Sequence, residues 1–220
     1  MDGDMVEVGE PDFLYLNDGR AKFTRVDWTA GNWLDENGEP IRKAFWDLGL
    51  AVMIRDANQD GRPDIYVCND FQTPDRFWIN QGGGRFRLID ELALRHRSYF
   101  AMAVDFADIN RDGHDDFFVA DMMSPTHLLE MTQVGVTNPF AKPIDEFIDR
   151  PIIHRNTLFV NRGDDTYMET ANYSGVAATE WTWGSTFMDV DLDGLEDLLI
   201  ANGHAFDTQD LDAIERTSKL

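Results

Sequence analysis

Residues 108–121 read DINRDGHDDFFVAD, which places five acids and one asparagine in fourteen positions and then runs into Phe-Phe-Val-Ala. Carboxylates a few ångströms apart repel, and the repulsion grows beside an apolar core. Such a stretch calls for a positive charge among its acids. It also recurs. DANQDGRPDIYVCND begins at Asp56 and DVDLDGLEDLLIANG at Asp189. All three fit D-x-[DN]-x-D-G-x-x-D followed by four mostly apolar residues.

A second element repeats in step with the first. DFLYLNDGRAKF (12–23), DRFWINQGGGRF (75–86) and NTLFVNRGDDTY (156–167) share Asp or Asn at the start, Asn five later, Gly seven later and an aromatic eleven later. Asn80 to Asn161 is 81 residues, and so is Asp108 to Asp189. Elements that move together mark a duplicated unit. Within a unit, an incoming strand, the acidic turn and an outgoing strand precede a hairpin with a Gly-bearing turn. That gives four strands per repeat. The runs IYVC, FFVA and LLIA lack alternation, so both faces of those strands are expected to be buried. Four-stranded antiparallel sheets stacked face to face make a β-propeller.

The predicted fold is therefore all-β, a propeller fragment of about three four-stranded antiparallel blades with acidic loops between strands. The expected units are a half blade within 1–26, a blade at 48–90, a blade at 99–170, a half blade at 182–204 and a C-terminal helix at 207–219. The second full blade carries an insertion at 122–153 with irregular, Pro-bearing sequence. A propeller typically closes with 4–8 blades. The remaining blades are expected from outside these residues. The alternative is an open stack of three sheets.

Each acidic loop offers oxygens at positions 1, 3, 5 and 9, and a glycine at position 6 turns the position-7 carbonyl inward. The candidate ligands are Asp56, Asn58, Asp60, the carbonyl of Arg62, and Asp64 in the first loop. In the second they are Asp108, Asn110, Asp112, the carbonyl of His114, and Asp116. In the third they are Asp189, Asp191, Asp193, the carbonyl of Leu195, and Asp197. Hard oxygens alone disfavour zinc, copper and iron–sulfur. Ca²⁺ takes six to eight such ligands, and Mg²⁺, which prefers a tighter octahedron, is the second choice. An EF-hand is excluded because position 12 is Val67, Val119 or Ile200 rather than Glu. About three Ca²⁺ ions are expected, with the four-acid third loop the tightest by charge.

The bulk composition bounds the partners. Of 220 residues, 41 are acidic against 19 Lys plus Arg, a net charge of −22. Nucleic acid and anionic membrane surfaces are disfavoured. No stretch approaches the roughly 20 apolar residues of a membrane span. The single cysteine, Cys68, sits in an apolar run and reads as a buried small hydrophobe.

These loops and hairpins resemble the FG-GAP/VCBS repeat family, known from the propellers of integrin α subunits. VDFADINRDGHDDFFVADM and NTLFVNRGDDTYMETANYSGV look most like exported proteins that pair such repeats with an ASPIC/UnbV segment, related to cartilage acidic protein. The resemblance covers about 12–204. It implies largely structural calcium at the loop positions above, an extracellular or periplasmic location, and use as a binding or adhesion module without catalysis. Asn17, Asn80 and Asn161 match the family's hairpin pattern. The partner would be a protein or a carbohydrate. The alternative function is a propeller hydrolase or lyase acting on carbohydrate or another exported substrate, with loops 27–47 and 122–153 over its active face. Five scattered histidines and the Gly-rich 80–86 hairpin assemble no recognisable catalytic set. The tryptophans at 28, 33, 46, 181 and 183 read as fillers between sheets or as loop anchors for a ligand.

Overall fold

The computed structural model describes residues 9–71, 73–127, 150–203 and 215–216. The middle of the insertion and most of the predicted C-terminal helix lie outside the described residues. Where described, the chain is all-β, built from small sheets, none closed on itself, in the arrangement of a β-propeller fragment.

Strands β1 (Tyr15–Asn17) and β2 (Phe23–Arg25) form a hairpin. Next come β3 (Trp33–Leu34), β4 (Gly49–Arg55), β5 (Asp64–Asn69), β6 (Arg76–Gly82) and β7 (Arg85–Leu88). Strands β4 to β7 make an antiparallel meander, and β3 adds to β7 in parallel. The chain continues through β8 (Arg97–Ser98), β9 (Ala103–Ala107), β10 (Asp116–Ala120), β11 (Met122–Met123), β12 (Ile152–Ile153), β13 (Thr157–Asn161) and β14 (Tyr167–Glu169). Of these, β9, β10, β13 and β14 form the second meander, while β8 and β12 pair in parallel. Finally β15 (Glu180–Met188) pairs antiparallel with β16 (Asp197–Asn202), and β11 adds to β15.

The first two meanders pack face to face through β5 and β10. Alternate residues of β5 point opposite ways, and both directions are filled. Tyr66 and Cys68 face Phe106, Phe117 and Val119 of the second sheet. Ile65 and Val67 face the other way, onto Trp33, Trp78 and Phe86. Strand β10 repeats this, with Phe117 and Val119 toward the first sheet and Phe118 and Ala120 toward Phe187, Leu198 and Ile200 of β15–β16. Phe117 is the hub. It stacks on Phe106 at 4.9 Å and on Phe159 at 4.7 Å, and meets Tyr66 at 5.2 Å. Cys68 is buried and free, as expected.

The expectation for LLIA fails on one face. Leu198 and Ile200 are half-buried, but Leu199 is 54% exposed. No described sheet lies beyond β16 to cover it. The mirror situation holds at the other end, where Ala51 and Met53 of β4 pack inward and Val52 remains 61% exposed. Trp28, Trp33, Trp78 and Phe45 stack together beside the first meander, so these tryptophans fill structure. Trp46 and Trp183 are exposed.

Candidate metal centre

The acidic turns connect β4 to β5, β9 to β10 and β15 to β16. The incoming strand ends at the residue immediately before the first acid, and the ninth residue opens the outgoing strand. The last candidate ligand thus sits on a rigid element.

Within each turn the carboxylates first serve the backbone. In the second loop Asp108 Oδ1 accepts from Asp112 N at 3.0 Å and its Oδ2 from Gly113 N at 2.9 Å. Asn110 Oδ1 also accepts from Asp112 N, and Asp112 Oδ1 accepts from His114 N at 2.9 Å. The first loop copies this net at Asp56, Asn58 and Asp60. The third copies most of it at Asp189, Asp191 and Asp193. Such bonds fix the orientation of the carboxylates within each turn.

The glycines at position 6 take positive φ as expected, with Gly61 at 83°, Gly113 at 89° and Gly194 at 85°. Position 4 does the same, which the sequence does not signal. Gln59, Arg111 and Leu192 have φ of 59°, 59° and 64°. Left-handed backbone costs a non-glycine residue about 1–2 kcal/mol. Three turns thus hold the same strained conformation.

The hairpin asparagines belong to the site in a way the sequence conceals. Asn80 N donates to Asp64 Oδ1 at 2.7 Å, and Asn161 N donates to Asp116 Oδ1 at 2.8 Å. Their side chains cap their own turns, on Gly82 N and Gly163 N, each at 2.9 Å. Each hairpin therefore clamps the ninth residue of the preceding loop. That is the physical link between the two repeated elements. Asp197 has no such clamp among the described residues and is exposed.

Burial and neighbouring acids leave these ninth-position carboxylates short of positive charge. Asp116 is 0% exposed, and its Oδ2 lacks a hydrogen bond of normal geometry. Burial, then Asp112 and Asp108, pushes its pKa up to about 6 against the pull of Asn161 N. Burial and the nearby Asp60 and Asp56 likewise push Asp64 up to about 6. In the third loop Asp189 Oδ1 is also buried without a partner. There, carboxylate oxygens of Asp189, Asp191 and Asp197 lie within 4.8 Å of one another. That spacing suits one cation bound by all three.

The first two loops draw their side chains together differently. Asn58 Nδ2 donates to Asp60 Oδ2 at 3.1 Å, and Asn110 Nδ2 to Asp112 Oδ2 at 2.9 Å. Arg62 forms an ion pair with Asp60 and donates through Nε to Asn80 O. The donor types are those a hard cation takes, carboxylate and carbonyl oxygens with an amide oxygen in the first two loops, but among the described residues the third loop is where three carboxylates come within 4.8 Å of one another.

Residues 56–119 match the FG-GAP-like repeat family. The match opens on the first acid of the first loop and closes inside β10, so it spans two acidic loops and the intervening hairpin. No curated protein matches the chain.

Proposed function

We propose that this chain, built on FG-GAP-like repeats, is a calcium-binding β-propeller module that serves extracellular or periplasmic binding, with calcium in a structural role. The observation that carries the reading is the meeting of Asp189, Asp191 and Asp197 within 4.8 Å. Three carboxylates at that spacing repel unless a cation or protons join them. The buried Asp116 Oδ2, which lacks a hydrogen bond of normal geometry, supports the same reading in the second loop.

Bound calcium supplies positive charge at the turn, with no redox or acid–base step required of it. The chain's own residues do the rest. Asp56, Asn58, Asp60, Asp64 and the Arg62 carbonyl would hold the first ion, with the corresponding residues holding the second and third. Asn80 and Asn161 fix the ninth-position ligands. Because an unfolded chain has no formed site, binding free energy becomes folding free energy. The exposed faces of β4 and β16 are where further blades of the same propeller would pack. A net charge of −22 steers the module away from nucleic acid and toward basic or neutral ligands, protein or carbohydrate.

Calorimetric titration of chelator-stripped protein tests the proposal. About three Ca²⁺ sites are expected, with Mg²⁺ weaker, together with a higher melting temperature in calcium than in chelator. Absence of calcium binding, or a melting temperature indifferent to chelator, refutes it.

A further inference from the structure

The first and second acidic loops touch, although 52 residues separate Asp56 from Asp108. Arg55, the last residue of β4, donates through Nε to Asp115 Oδ2 at 2.5 Å and through Nη2 to Asp115 Oδ1 at 3.1 Å. Asp115 is buried and lies between two residues of the second ligand set, His114 and Asp116. Gln59, at position 4 of the first loop, donates its side-chain amide to the carbonyl of Gly113. That carbonyl shares a peptide plane with His114 N, which donates to Asp112 Oδ1 on its other side. The plane is thus pinned from both edges, once by its own loop and once by its neighbour.

The Arg55–Asp115 ion pair is peculiar to this junction, whereas the position-4 contact has a counterpart in Arg111 of the second loop, whose guanidinium lies against Gly194 of the third. The residue before the acidic turn is Arg55 in the first repeat but Ala107 and Met188 in the others. Position 8 is Asp115 in the second loop but Pro63 and Glu196 elsewhere. The repeat pattern does not demand the pair, so it serves something local.

We propose that Arg55 and Gln59 are positioning residues for the second loop, and that through them cation binding at the first loop strengthens binding at the second. The inference rests on the calcium reading. Arg55 adjoins Asp56, the first ligand of its own loop, and Gln59 lies between ligands Asn58 and Asp60. An ion in the first loop fixes all of these at once. The guanidinium and the amide are then held where they meet Asp115 and Gly113. The second loop loses less conformational freedom when its own ion arrives, which is positive coupling through ordering. Repulsion between the two ions opposes the effect but is screened over their separation by solvent and loop carboxylates.

The test is a double-mutant cycle on the full chain, read by calcium titration of ¹⁵N-labelled protein, following the Gly113 and His114 amide signals. Asp60→Asn disables the first loop. In the otherwise native chain it should weaken calcium at the second loop by at least about fivefold, the lower end of usual coupling factors. In an Arg55→Ala/Gln59→Ala background the same substitution should have a clearly smaller effect on second-loop affinity, limited to its direct charge effect. Charge effects of Asp60→Asn are common to both backgrounds and cancel. Melting curves above the titration temperature establish that every variant is folded. Equal loss in both backgrounds, or none in either, overturns the coupling while leaving three calcium sites standing. Failure of the native chain to bind calcium overturns the calcium reading and the coupling with it.

Discussion

Asp75→Asn should stabilise the protein at neutral and alkaline pH, by an amount that grows with pH. Asp75 is the first residue of the second hairpin element. Its Oδ1 accepts from Asn69 N at 2.8 Å and its Oδ2 from Tyr66 Oη at 2.8 Å. Burial raises its pKa to about 7, outweighing the hydrogen bonds from Asn69 and Tyr66 and the attraction of Arg97. The sign follows from linkage. A carboxyl with a raised folded-state pKa contributes its stability below the unfolded value near 4, and loses it as pH rises through about 7. A gap of about three units corresponds to about 4 kcal/mol, an upper bound.

The second repeat shows that an amide can do this job. Asn156 holds the equivalent position, and its Oδ1 accepts from Asp121 N at 2.7 Å. An asparagine at 75 keeps an acceptor for Asn69 N and can donate to Tyr66 Oη. Urea unfolding of both proteins, in saturating calcium from pH 4.5 to 8.5, gives the difference directly. It should be within about 1 kcal/mol of zero at the acid end and approach 4 kcal/mol in favour of the variant at the alkaline end. A difference that does not change with pH refutes the reasoning.

Asp116→Asn should separate two states of the second loop: lower melting temperature than wild type in calcium, equal or higher in chelator, because the substitution removes both a ligand and an uncompensated charge. Asp47→Ala leaves the buried guanidinium of Arg76, which stacks 3.8 Å over Phe45, without its bidentate partner. Chemical unfolding should show a loss of about 3–5 kcal/mol, and a loss below 1 kcal/mol would refute the burial argument. Phe117→Ala empties the hub of the aromatic cluster and should cost about 3–5 kcal/mol by the same measurement.

Much of this architecture was legible in the residue pattern because it rests on local chemistry. The Asp-Gly turns had to reverse the chain, and the unalternating IYVC and FFVA runs had to lie between two layers. Burial of LLIA was not legible, since it depends on a neighbour rather than on the strand. Position 4 was also hidden. Gln59, Arg111 and Leu192 share no side-chain chemistry that favours positive φ. The turn imposes it. The parallel additions of β3 to β7 and β12 to β8 involve two residue pairs each, too short for a periodic signal. The hairpin asparagines matched a pattern, but their backbone grip on Asp64 and Asp116 is a long-range fact. So is the Arg55–Asp115 pair, which bridges 60 residues.

The bare faces of β4 and β16 give the stack a direction of failure. Sheets that touch only their neighbours have stabilities set by intrinsic and nearest-neighbour terms, as in linear repeat arrays. The sheet of β9, β10, β13 and β14 has a sheet on each side, the β4–β7 sheet has Leu14, Val26 and Trp28 over most of its other face, and β15–β16 has one partner among the described residues. Opening free energies should therefore fall from the middle outward. Amide hydrogens of Phe117 to Val119 should exchange last, and those of β16 and the β1–β2 hairpin first. Such a molecule comes apart from its ends, and the acidic loop least enclosed by hairpin, at Asp197, lies on one of them.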